Sequence, residues 1–154
     1  MWDTGNTAFM LVATSLVMLM TPGLAFFYGG LVGRKNVLSI MMQSFVSMGF
    51  TTVLWYVVGY SMCFSGTLGA HSDLGGIIGN FDMAFLHGVT VNSPSPITPN
   101  IPLMVFIAYQ MMFAIITPAL ITGEFTNSDR LGAYMLFITP WLFLVSFPFV
   151  YMVW

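Results

Sequence analysis

The run from Leu19 to Val37, LMTPGLAFFYGGLVGRKNV, decides how this chain is read. It sets a proline and four glycines inside an apolar stretch and follows them at once with Arg34 and Lys35. Upstream, no charge occurs back to Asp3. A bilayer core takes about twenty apolar residues as helix, so residues 6–31 are long enough to span it with room to tilt. A secretory signal is the competing reading. It fails because the run is too long, no basic residue precedes it and no small-residue cleavage pattern comes after it.

The rest of the chain repeats the pattern. Of its 154 residues 58% are hydrophobic and 5% charged, with a mean hydropathy of +0.90. Soluble domains carry about a quarter charged residues, so this composition excludes one. Residues 37–64, 102–123 and 131–154 supply three more uncharged stretches of spanning length. Between the second and third, residues 65–100 are dense in Gly, Ser, Pro and Asn and read as a loop, with a short apolar turn around MAFLHGV. A β-barrel would show segments of roughly ten residues with alternating polarity, and none is present. The expected fold is an all-α polytopic membrane protein.

Basic residues concentrate in cytoplasmic loops. Arg34, Lys35 and Arg130 all come after the first or third helix, which puts those loops in the cytoplasm. The N-terminus, the 65–100 loop and Trp154 then lie outside.

Several function classes drop out. A net charge of −2 gives no basic surface for nucleic acid. Cys63 is the only cysteine; it allows no internal disulfide, forms no zinc spacing and reads as packing. His71 and His87 fall in the long loop and read as ordinary loop histidines. Glu124 and Asp129 are short-loop acids beside Arg130. No nucleophile, base or phosphate-cradling constellation is present, so neither an enzyme nor a cofactor is expected.

The breakers carry more information. Pro22 removes a helix hydrogen bond, and Gly23, Gly29, Gly30 and Gly33 let neighbouring helices approach closely. Glycine and proline are also commoner in membrane helices generally. Pro118, Pro140 and Pro148 repeat the theme and suggest helices bent around a conduit. In the third helix Tyr109 and Phe113 stand four residues apart and share a face, with Gln110 beside them. Such aromatics also serve as ordinary packing, and Trp154 also reads as an interfacial belt residue. If the rings converge, their faces would hold a small desolvated cation at very roughly 0.5–2 kcal/mol per contact.

The segment DTGNTAFMLVATSLVMLMTPGLAFFYGGLVGRKNVLSIMMQ resembles the first helix and adjoining turn of the Amt/Mep/Rh ammonium transporters. The likeness continues through LWYVVGYSMCFSG, FAIITPALITG and the closing MVW. It implies an eleven-helix fold of two inverted halves, of which this chain would be the N-terminal four-helix portion. It further implies a homotrimer in the plasma or inner membrane that carries ammonium or ammonia, with a P-II-type cytoplasmic regulator or a signalling domain as a partner. By resemblance, Phe113 falls at an outer phenylalanine gate, while Tyr109 and Trp154 fall at an external recruitment site. Gln110 is assigned only packing or hydrogen bonding within the bundle. The pore histidines, the acidic residue of the fifth helix and the serine completing the external cage have no counterpart in these residues. Two departures are visible: residues 124–130 replace an Ala-Glu-Arg-like turn, and Tyr151 stands where the family commonly carries histidine. They fit the alternative of an ammonium sensor that signals to a cytoplasmic output domain.

Overall fold

The computed structural model describes residues 2–65, 77–94, 97–121 and 131–153. His71, Glu124, Asp129, Arg130 and Trp154 lie outside them. Four helices are long and apolar enough to cross a membrane: α1 (Thr4–Leu31), α2 (Val37–Phe64), α3 (Leu103–Ile121) and α4 (Leu131–Val153). Among the described residues there is no β-strand.

Local chemistry sets the helix ends. The Asp3 carboxylate accepts the N–H groups of Gly5 at 2.8 Å and Asn6 at 3.2 Å, capping α1. At its other end Val32 turns extended, and a short turn closed by the Asn36 N–H on the Gly33 carbonyl, at 2.8 Å, starts α2. So short a connection forces α1 and α2 into an antiparallel pair. They approach closely at Gly29, where a Cβ would sit 3.4 Å from Val37 and 3.5 Å from Met41. The Asp3 N–H also donates to the Asn100 carbonyl at 3.1 Å. The start of α1 and the segment entering α3 therefore lie at the same end of the bundle.

α3 packs against both α1 and α2. The last carbonyls of any helix lack partners within it, and hydrocarbon offers no water to satisfy them. Two tyrosines meet this need in α3: Tyr134 donates to the Pro118 carbonyl at 3.2 Å and Tyr28 to the Leu120 carbonyl at 3.3 Å. The core is largely aromatic. Phe64 of α2 meets Phe106 of α3 with centroids 5.4 Å apart, and Cys63 is buried with its Sγ 3.8 Å from the Phe147 carbonyl. A polar stripe is buried as well, formed by Gln43, Ser44, Ser47 and Thr51 on α2 with Thr21 on α1. Ser47 stands beside the Tyr134 hydroxyl.

The connection from α2 to α3 is docked rather than loose over residues 77–94. The Gly79 N–H donates to the Met62 carbonyl at 2.9 Å. The Ser65 hydroxyl accepts the Asn80 N–H at 2.7 Å. The Ser61 hydroxyl donates to the Asn80 carbonyl at 2.7 Å and accepts the Met83 N–H at 3.1 Å. The apolar turn forms at Ala84–Leu86, with Phe85 (φ 56°) and Leu86 (φ 55°) in the left-handed region and the Phe85 ring edge-on to Tyr56 at 6.2 Å. Ser61→Ala removes the acceptor of the Met83 N–H and leaves the Asn80 carbonyl only the Ser65 hydroxyl, at 3.2 Å. Its expected cost is about 1–3 kcal/mol, read as a lower melting temperature in detergent; an unchanged value would mean that the connection is not held there.

α2 and α4 each contain one π-helical turn, Trp55–Gly59 and Leu142–Ser146. Each turn widens its helix locally and shifts the register of the residues C-terminal to it. In α4 the turn lies between Pro140 and Pro148, which both lack the N–H that regular helix bonding needs. The two turns are neighbours: a Cβ at Gly59 would meet the Phe147 ring at 2.9 Å.

Candidate functional site: an aromatic cavity between α2, α3 and α4

Where the two π turns face α3, the helices leave a cavity of about 290 Å³. One face of α3 lines it with Tyr109, Gln110, Phe113, Ala114 and Thr117, a spacing that keeps all five on one side of a helix. α2 contributes Trp55, and α4 contributes Ser146, Phe147 and Val150.

The aromatic geometry is specific. The Tyr109 and Phe113 rings lie 5.1 Å apart at 75°, edge to face. Phe113 is 39% exposed, so its ring remains available to a ligand. Trp55 is only 3% exposed and stands edge-on to Phe147 at 6.3 Å and to Tyr60 at 6.0 Å. Its indole Nε1 is sealed from solvent with no hydrogen-bond partner. Such a wall suits a small cation, because ring faces carry negative potential and partial closure removes competing water.

The polar groups divide in two. Thr117 donates to the Phe113 carbonyl one turn back at 2.7 Å and so offers its proton to no ligand. Gln110 and Ser146 line the cavity without any hydrogen bond among the described residues. Among those residues no group of three metal-ligating side chains occurs. A second, open groove of about 440 Å³ runs between Tyr56 of α2 and Met104, Ile107 and Met111 of α3. Its lining is mostly apolar, and the Thr52 hydroxyl is bonded to the Met48 carbonyl at 2.8 Å.

Tyr109 and Phe113 are therefore brought together in one cavity, with Gln110 beside them, while Trp154 lies outside the described residues. His87 is exposed in the connection, away from the cavity lining. Sequence reasoning misses Trp55, Ser146 and Phe147. A tryptophan within an apolar span carries no sign of the helix it will meet, and no residue spacing announces a π turn.

The Ammonium Transporter Family matches this sequence over residues 8–154. An ammonium transporter of Mycobacterium bovis is 46% identical over 160 residues, covering 95% of this chain and 32% of that protein. A putative ammonium transporter of Methanothermobacter thermautotrophicus is 41% identical, covering all of this chain and 36% of that protein. Among solved structures, Candida albicans Mep2 superposes with a TM-score of 0.83 at 29% identity, covering 97% of this chain and 31% of that one. The chain thus spans about a third of the length of the proteins it matches.

Proposed function

This chain belongs to the ammonium transporter family, and on that premise we propose that the complete protein moves ammonium or ammonia across a cell membrane. The observation that carries the assignment to this site is the Tyr109–Phe113 ring pair, 5.1 Å apart on the wall of a 290 Å³ cavity.

Ammonium meets the ring faces of Tyr109 and Phe113 at the outer end of the bundle, with Trp154 completing the recruitment site. There it exchanges part of its water for cation–π contact. Phe113 is the gate between this cavity and the apolar path beyond. A low-dielectric path disfavours the charged form, so the neutral amine is what passes. No bond to the protein is made or broken. The lining residues of α2 and α4 fall past mid-helix toward the end where α2 stops, while those of α3 centre on the middle of that helix; with the exposed Arg34 and Lys35 turn in the cytoplasm, that end is the outer one. The homotrimer and a P-II-type regulator at the cytoplasmic face rest on family membership alone.

The test is uptake of labelled ammonium or methylammonium by the complete polypeptide in vesicles of verified orientation. Phe113→Ala removes one ring contact, so the half-saturating concentration should rise roughly two- to thirtyfold. Binding without flux under any gradient would instead identify a receptor.

A further inference from the structure

Building on the reading of the cavity as an ammonium site, we propose that Gly59 is a positioning residue for it. Its missing side chain lets the Phe147 ring lie back against α2, and so sets the width of the space open to the cation. Gly59 itself touches no ligand; it acts through the ring.

Most glycines of the spanning helices have room to spare. A Cβ added at Gly23, Gly30, Gly49 or Gly132 would meet nothing within 4 Å among the described residues, and one at Gly29 would make contacts of 3.4 Å and longer. At Gly59 it would stand 2.9 Å from Phe147 Cζ, 3.2 Å from Trp55 Cε3 and 3.3 Å from the Leu54 carbonyl oxygen. Carbon atoms settle about 3.5–4.0 Å apart, so a neighbour has to yield. The Leu54 carbonyl is backbone of the helix that carries the glycine. Trp55 is buried and already bounded by the rings of Tyr60, Phe64 and Phe147. Phe147 differs from both. Trp55 stands against it at 6.3 Å and Phe143 at 5.6 Å, but its ring also forms part of the cavity wall. Packed interiors transmit strain until they reach empty space. The ring is therefore pushed into the cavity.

That movement bears on which cations fit. Tyr109 and Phe113 line the same 290 Å³, so a ring driven inward leaves less room beside them. Cation–π attraction does not by itself grade compact cations by size; a wall does. Ammonium is smaller than any of its methylated forms and loses least when the wall advances. The two π turns thereby acquire a joint purpose. Trp55–Gly59 ends on the glycine that provides the recess, and Leu142–Ser146 leads directly into the phenylalanine that occupies it.

The experiment measures half-saturating concentrations of ammonium and methylammonium for uptake by the complete protein in vesicles. Gly59→Ala is expected to raise the methylammonium value about tenfold more than the ammonium value. Phe147→Leu, which withdraws the end of the ring, should move that ratio the opposite way, and the double variant should return it toward wild type. A glycine needed only for stability would lower the melting temperature and leave the ratio alone. If Gly59→Ala does not fold by itself, the double variant compared with Phe147→Leu reads the same displacement, as a higher ratio of the methylammonium to the ammonium value. Unchanged ratios in both comparisons at Gly59, with Phe113→Ala still weakening both substrates, would overturn this inference and leave the cavity assignment intact. No effect from any of these substitutions, Phe113→Ala included, would remove the cavity assignment as well.

Discussion

Gly79→Ala is expected to destabilise the protein by about 2–3 kcal/mol, more than a place in an interhelical connection suggests. A Cβ there would lie 2.5 Å from the Ser65 hydroxyl, 2.7 Å from the Ser61 carbonyl and 2.8 Å from the Met62 carbonyl. Two of those atoms are backbone at the end of α2 and have no rotamer to escape into. The chain must retreat, which breaks the 2.9 Å bond from the Gly79 N–H to the Met62 carbonyl and loosens the contacts of Asn80 with Ser61 and Ser65. Thermal unfolding in detergent measures the loss, and limited proteolysis of the connection locates it. A variant that melts with the wild type would show that residues 77–83 do not dock on α2.

Trp55→Ala carries the second large effect. Trp55 carries a large share of the contact between α2 and α4: its centroid lies 6.3 Å from Phe64 of its own helix and 6.3 Å from Phe147 across the interface. It also separates the aromatic cavity from the apolar groove beside α3, since it lines both. Truncating a fully packed tryptophan typically costs about 3–5 kcal/mol, and here the hole would join two existing spaces. The expected result is a loss in that range, with Trp55→Phe recovering most of it because a ring still meets Phe147. A small effect from Trp55→Ala would mean that the contacts at Gly59 and Cys63 hold α2 to α4 without it.

Much of the fold is legible in the sequence because membrane helices announce themselves through uninterrupted apolar length. The turn at Arg34 and Lys35 and the Gly/Pro-rich stretch before α3 are the punctuation that separates them. The shared face of Tyr109 and Phe113 is legible for a similar reason: four residues along any helix return nearly to the same side. Less accessible is everything set by register between distant helices. Trp55 and Phe147 belong to different helices, and their approach depends on two π turns that no apolar pattern reveals. Gln110 reads as packing because a lone amide in a span ordinarily bonds within the bundle, and its place in the cavity wall is seen only in the structure. Ser146 does not stand out, because serine in a helix normally satisfies its own backbone.

The buried polar stripe on α2 bears on how the protein is made. Helices enter the membrane in the order of synthesis, so α1 and α2 are present as a pair before α3 and α4 exist. Gln43, Ser44, Ser47 and Thr51 must then wait for their final surroundings; the Tyr134 hydroxyl beside Ser47 belongs to the last of the four helices. A young hairpin bearing four polar side chains is poorly suited to bare lipid. Its stay there has to be brief, or sheltered by the insertion machinery until the later helices arrive.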